Sequence, residues 1–329
     1  MPKRYKILKT RWARDLFYQT KFAVQRYGNP DFVPRVHIPA VTKVVWVTHS
    51  KFATLASSNM RGQQLAQIAQ AHLGEDYDID CIDERGAKLC RDSVLFLTKG
   101  YLKKATLQDV HDLKRNNNIL CADFLDDPER RELSDHIDVY IASSIAQLQY
   151  YMNWWPDRMV HLVTHHVDPA IEGLHAQQEH FRLGYFGDAD NARHRDRLID
   201  LVDFHFLDNR DMNGTWRDHL PDYSMHYAVR QGRRASSFKP FLKGFTAAAC
   251  GANILVSVQE NDAMHYLGRD YPWLVADSDL ASVRALAERA REEFGGPEWR
   301  RGLQVMESLC PSFAPATVAG QIRSLLQNL

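Results

Sequence analysis

Lys239 and Lys243 stand four residues apart in the run S-S-F-K-P-F-L-K-G-F-T-A-A-A-C-G-A-N-I-L-V-S, residues 236–257. Pro240 fits the first turn of a helix, Ser236 or Ser237 its cap, and Cys250-Gly251 its end before an apolar strand over 254–258. Residues four apart share a helix face. Unpaired N–H groups and the helix dipole favour an anion at that end, so the two ammonium groups predict a seat for a diphosphate. The competing reading of any such pair is solvated surface charge.

Other residue types with chemical potential are less distinctive. Asp78-Ile79-Asp80, Asp188-Ala189-Asp190 and Asp277-Ser278-Asp279 each form a D-x-D, a spacing that elsewhere chelates a metal on a diphosphate. Asp188 and Asp190 follow a buried strand, and capping a helix over 192–202 explains them better than metal binding. Of the fifteen histidines, none forms an H-x-x-x-H pair with a third ligand, so no structural metal is predicted. A G-x-S-x-G elbow, a G-x-x-x-x-G-K-[ST] loop and a G-x-G-x-x-G turn after a strand are all missing. This disfavours a hydrolase, a P-loop nucleotidase and a nicotinamide enzyme.

These residues must be positioned by an alternation of strands and helices. Apolar runs at 43–48, 77–82, 94–98, 119–123, 139–142 and 160–164 read as strands, with helices over 60–73, 104–116 and 144–152 between some of them. A second set follows: strands at 181–186, 202–207, 225–229 and 254–258, then helices over 280–294, 298–309 and 314–326. Such alternation predicts two parallel α/β units. The boundary falls at His165-His166-Val167-Asp168-Pro169, where the proline stops regular structure. The expected organisation is a basic segment over 1–40, a first domain over 41–168 and a second over 169–329. A length of 329 residues suits two domains of roughly 150.

The run K-P-x-x-K-x-x-x-A-A-x-x-G-A-x-I-L-V-S resembles the donor-binding helix and following strand of GT-B glycosyltransferases. Around it, His166-Val167-Asp168-Pro169 resembles the linker that ends the first domain of that family. Leu183-Gly184-Tyr185-Phe186-Gly187 resembles the strand and glycine turn that open the second. The resemblance spans about residues 43–329 and is carried mainly by the second half. It implies two Rossmann-like domains facing across a cleft, with C-terminal helices, and a sugar transferred from a nucleotide donor to a glycan or lipid-linked acceptor. Such a role belongs to surface polysaccharide or glycoconjugate synthesis, without a metal or another cofactor. Arg230 matches a basic residue that the family places near the donor phosphates, and Gly187 and Asp188 fall where they would line the cleft. In the first domain, Ser58, Asn59 and Arg61 lie in the polar loop and helix start with which the family frames its cleft.

One departure is clear. Many retaining members carry two glutamates separated by seven residues around this helix, one of them touching the nucleotide ribose, and here those positions are Phe238 and Thr246. Glu260 and Asp262 offer substitute acceptors for donor hydroxyls, while Asp262 equally fits the cap of a helix starting near Ala263. The chemistry asks an acceptor hydroxyl to lose a proton while the leaving diphosphate is stabilised by cations. Arg230, Lys239 and Lys243 suit the second task. For the first, His49, Asp123 and Asp126, at strand ends of the first domain, are the candidates, each with an alternative as a loop cap or solvated charge. Two rival functions remain: a GT-B-like binding or scaffold protein without catalysis, and a nucleotide-sugar epimerase or hydrolase.

Composition sets outer bounds. Forty-one basic residues balance forty-one acidic ones, so no global field holds the chain on nucleic acid, and none is expected as a partner. Within the first thirty residues, however, Lys3, Arg4, Lys6, Lys9, Arg11, Arg14, Lys21 and Arg26 face Asp15 alone and alternate with aromatics. Residues 1–28 therefore read either as a peripheral anchor on an anionic membrane or as a solvated helix. Five cysteines without a C-x-x-C pair fit reduced thiols and a cytoplasmic setting.

Overall fold

The computed structural model describes residues 41–207, 215–231, 238–260 and 262–329. The basic head and the candidate caps Ser236 and Ser237 lie outside them.

Among the described residues, six parallel strands build the first sheet: β1 (Lys43–Val47), β2 (Asp78–Ile82), β3 (Val94–Thr98), β4 (Ile119–Asp123), β5 (Val139–Ala142) and β6 (Met159–Leu162), in the order β2-β1-β3-β4-β5-β6. The inner strands β3, β4 and β5 are buried at every position, as helix-covered parallel strands must be, whereas the edge strands β2 and β6 carry half-exposed side chains. The helix expected over 60–73 begins as a π turn at Asn59–Gln64 and continues as α1 (Leu65–Leu73). Gly62 makes that start possible, because a Cβ there would lie 2.6 Å from Thr48 Cγ2 at the end of β1.

The helix predicted over 104–116 forms only from Leu107, and a separate helix precedes it. Lys99–Lys104 forms α2, and Leu107–Arg115 forms α3 behind a capping box in which Thr106 and Asp109 satisfy each other's backbone N–H. The box forces Thr106 into an extended conformation and so breaks the run. Helix α4 (Ile145–Trp154) follows β5, capped by Ser144.

The second sheet orders β7 (Leu183–Gly187), β8 (Asp203–Phe206), β9 (Met225–Tyr227), β10 (Asn253–Ser257) and β11 (Leu274–Val275) as β11-β10-β9-β7-β8, again all parallel. Two-residue β11 is too short to leave a periodicity in the sequence. Helices α5 (Leu242–Ala249), α6 (Ala263–Leu267), α7 (Leu280–Glu292) and α8 (Pro297–Ser308) complete this unit. The helix expected over 192–202 does not form. Asp188 caps only a short turn, Ala189–Asn191, after which Ala192 pairs with Arg230 and Arg193 N–H bonds Val229 O at 3.1 Å. The backbone bonds that a helix needs are spent sideways on the strand-end next door.

The chain then returns. Helix α9 (Pro315–Gln327), expected with the second domain, packs on the first: Val318, Ile322, Leu325 and Leu326 join Val44, Trp46, Leu65 and Leu73 in one core. Each such aliphatic side chain contributes about 1.5–3 kcal/mol on burial. Gln321 fixes the register, accepting from Thr164 N–H at 2.8 Å and donating to Thr164 Oγ1 at 3.0 Å. The apolar spacing showed a helix with one buried face but not which sheet it covers.

Candidate functional site

In open parallel sheets, ligands bind beyond the carboxyl ends of the strands. Here both sheets turn those ends to one cleft of about 530 Å³, within the range of ligand pockets. Loops after β1, β3 and β4 form one wall and loops after β7 and β9, with the start of α5, form the other. The linker residues His165 and Asp168 lie at the joint.

The second-domain wall gathers three cations. Arg230 follows β9, and its Nε lies 2.8 and 2.9 Å from the two Glu260 oxygens. Glu260 is therefore the arginine's counter-ion and orienter. Burial raises its carboxyl above the usual range, although Arg230 opposes this. Lys243, in the first turn of α5, donates to Phe186 O and sits 3.8 Å from the centre of the Tyr185 ring. Gly187 leaves it room, because a Cβ there would stand 2.8 Å from Lys243 Nζ. Lys239 faces Asp126 of the opposite wall at 3.8 Å. Burial and then Arg230 lower the pKa of both lysines, Lys243 strongly. Three crowded, partly desolvated cations are a site whose charge an anion would balance.

The predicted lysine geometry needs one correction. Helix α5 starts at Leu242 behind Phe241, which makes no side-chain cap, so Pro240 precedes the helix and Lys239 belongs to the loop. The lysines do not share a helix face; they converge on the cleft from the loop and the first turn. Asp188 lines the cleft, and its carboxylate caps Asp190 N–H at 2.9 Å.

Asp262 is also corrected. It precedes α6 but makes no side-chain cap there. Its carboxylate instead accepts from Ile145 N–H and Ala146 N–H of α4, both at 3.1 Å, across the domain boundary. It is 2% exposed and does not line the cleft. Ser144 Oγ donates to Phe238 O at 3.2 Å and the Tyr150 ring lies 4.6 Å from that of Phe238, so the two domains are clasped at this point.

In the first wall, Asn59 and Asp126 line the cleft, whereas Ser58, Arg61, Asp123 and His49 do not. Arg61 is 1% exposed and spends its Nε on Asp123 Oδ2 at 2.7 Å, while Asp123 Oδ1 accepts Leu125 N–H at 3.0 Å. This ion pair ties the π turn before α1 to the end of β4 and offers no carboxylate to a substrate. Ser58 is buried beside Gly100, and His49 turns away to accept Lys51 N–H at 3.1 Å, with Glu84 3.8 Å distant. Asp126 bonds Lys99 Nζ at 2.6 Å. Burial works against its charge, but Lys99 and Lys239 override this and hold the carboxyl below its ordinary value.

Several lining residues escaped sequence reasoning. Lys99 directly follows β3, so a strand-end rule would have found it. Arg217 reaches the joint from the turn Thr215–Asp222 to bond Asp168, with Nε at 3.1 Å, and no local pattern announces it. Gln64 Nε2 bonds the same carboxylate at 3.1 Å, so Asp168 ties both domains. His165 and His166, noted only as linker, are buried. His165 Nδ1 meets His166 O at 2.9 Å, and His166 Nε2 meets Gln64 Oε1 at 2.9 Å. Burial, followed by Arg61, pushes His165 down to about 3.

By sequence, the chain matches no family model and no curated protein. By structure it resembles HepE of Anabaena, solved with UDP-glucose, at TM-score 0.58 and 10% identity, covering 88% of this chain and 100% of that one. Sucrose-phosphate synthase of Thermosynechococcus elongatus gives TM-score 0.58 and 11% identity over 87% of this chain and 98% of that one. WaaB, a lipopolysaccharide outer core galactosyltransferase in its apo form, gives 0.57 and 6% over 88% and 100%. Against the GtfA/B complex, at TM-score 0.51 and 11% identity, 74% of this chain is matched and it spans 59% of that chain's length. In this chain two parallel α/β sheets, of six and five strands, open on one cleft, and with the likeness to these neighbours they show that it has the GT-B fold.

Proposed function

We propose that the chain is a metal-independent glycosyltransferase whose second domain holds a nucleotide-sugar donor and whose first domain receives a glycan or lipid-linked acceptor. The observation that carries this reading is the convergence of Arg230, Lys239 and Lys243 on the cleft at the carboxyl ends of the second sheet. Their charges, with the start of α5, supply at the leaving diphosphate what a divalent ion supplies elsewhere. Across from them, Asp126 is the one of the three candidate bases that reaches the cleft. Lys99 keeps it ionised and oriented, ready to take the acceptor's proton as the new bond forms. HepE, solved with UDP-glucose, and pneumococcal GtfA, solved with UDP and GlcNAc, support UDP as the first nucleotide to try.

In this reading the enzyme serves surface polysaccharide or glycoconjugate synthesis at the inner face of a membrane, held there by residues 1–28. No helix among the described residues is long and apolar enough to cross a bilayer. Phe238 and Thr246, where many retaining members have glutamates, favour a second reading: a nucleotide-sugar-binding protein without turnover.

The test is a thermal-shift screen with UDP, GDP, CDP, TDP and CMP sugars, with and without EDTA, since a ligand of the folded state raises Tm. A shift with one nucleotide class that survives EDTA supports the transferase. No shift with any of them removes the donor site. Turnover that requires an acceptor separates the transferase from an epimerase or hydrolase, which acts on the donor alone.

A further inference from the structure

Seven buried side-chain nitrogen or oxygen atoms have no hydrogen-bond partner among the described residues, and His226 Nε2 is the one whose residue lines the cleft. His226 is the middle residue of β9, opposite Gly184 of β7. Its neighbours Met225 and Tyr227 point into the main core of the second domain, so the imidazole points to the other face of the sheet. There the Phe186 ring lies 5.2 Å away. Burial, and then Lys243, push the imidazole down to about 3, so it is uncharged at neutral pH.

An uncharged imidazole with an unmet nitrogen is a costly choice for this position. A leucine of similar volume would fill the space without stranding a polar atom. The cost is offset when a ligand brings an uncharged polar group to the ring. The surroundings say which part of a ligand that is. Lys243 belongs to the anion seat and acts electrostatically on the ring. Thr246, one turn further along α5, lines the cleft, and Phe186, Leu207 and Trp216 supply apolar contact. The group is therefore uncharged and attached close to the diphosphate, and a hydroxyl, which can donate or accept, serves either tautomer of the ring.

We propose that His226 is a specificity-determining residue that hydrogen-bonds a hydroxyl of the nucleotide sugar next to its diphosphate. This rests on the donor-site reading above. The hydroxyl belongs either to the ribose or to the transferred sugar, and the chemistry is the same for both.

The experiment titrates the full chain calorimetrically with inorganic pyrophosphate, UDP and UDP-glucose, and measures Tm without ligand, for the unaltered protein, His226→Leu and His226→Gln. His226→Leu raises the ligand-free Tm by about 2 °C, because a stranded polar atom is gone. It weakens the hydroxyl-bearing ligand about tenfold, or about 1.4 kcal/mol, and leaves pyrophosphate unchanged. A loss already seen with UDP assigns the contact to the ribose; a loss confined to UDP-glucose assigns it to the sugar. His226→Gln, which keeps an uncharged donor and acceptor, restores most of the affinity. The assignment is overturned if pyrophosphate weakens in step with the nucleotides, if neither nucleotide weakens, or if Tm falls and every ligand is lost. An unaltered chain that binds none of the three ligands sinks the donor-site reading, and this assignment with it.

Discussion

The two walls of the cleft use charge in opposite ways. In the first domain, charges are consumed close to where they arise: Arg61 by Asp123, and Lys99 by Asp126 at 2.6 Å and Asp127 at 3.0 Å. In the second, Lys243 rests against a carbonyl and an aromatic ring, and Arg230 is aimed by one buried glutamate. Apart from Asp126, which reaches the cleft, the first wall is a structural network. The second directs Arg230, Lys239 and Lys243 at the cleft, where burial and their mutual proximity disfavour the charges of the two lysines. The contrast predicts that variants of the first wall change stability before binding, and lysine variants of the second change binding before stability.

The largest effect tests the first half of that statement. Arg61→Ala leaves Asp123 charged and unpaired in the interior, which costs about 3–5 kcal/mol. Urea denaturation should show that loss. A variant as stable as the unaltered chain would mean that the first-wall network is incidental.

Next comes the second half. Lys243→Ala should weaken nucleoside diphosphate binding by about 1.5–3 kcal/mol, the range for a charge-assisted hydrogen bond, with Tm unchanged or slightly raised. Equal affinity in isothermal titration would take the residue out of the anion seat.

Buried histidines give the walls a common pH response. Folding depresses His165 and His226 to about 3 and holds His166 well below the ordinary value of 6.5, in each case first through burial. Between pH 6.5 and 3 the unfolded chain binds more protons than the folded one, so stability is present at neutral pH and is lost as pH falls. Each histidine contributes a slope of about 1.4 kcal/mol per pH unit within that window. Denaturation curves at pH 7, 6 and 5 read the slope, and His226→Leu removes the second wall's share of it. Stability that is flat over this range would contradict the buried, uncharged state of these rings.

The smallest effect lies where the walls meet. Asp262→Ala strips the N-terminus of α4 of a carboxylate that caps it from the other domain, at a cost of about 1 kcal/mol. Faster hydrogen exchange at Ile145 and Ala146 is the expected sign, and unchanged protection at both amides would deny the clasp.

How much of this was legible in the sequence differs between the walls as well. Parallel strands buried on both faces are nearly continuous apolar runs, so V-L-F-L-T and I-L-C-A-D declared themselves and both sheets could be placed. Lys243 was also legible from the helix-start signals around it, and Arg230 from the resemblance to the donor-binding segment of GT-B glycosyltransferases. What stayed hidden was whatever depends on the partner across space. Asp262 looks like a cap for the helix beside it and caps one in the other domain. Asp123 sits at a strand end, where catalytic groups often lie, yet its partner Arg61 is sixty-two residues away. Helix α9 shows an apolar face without an address. His226 reads as a strand residue, and only the geometry shows that its ring is unmet.

In the proposed reading the second wall seats a nucleoside diphosphate and the first does not. Isothermal titration of UDP into the unaltered chain, Arg230→Ala and Lys103→Ala tests it most directly, because Arg230 and Lys103 are cations lining opposite walls of one cleft. The account predicts that Arg230→Ala loses at least tenfold in affinity while Lys103→Ala binds as the unaltered chain does. Loss in Lys103→Ala with Arg230→Ala unaffected would place the diphosphate on the wrong wall and contradict the account.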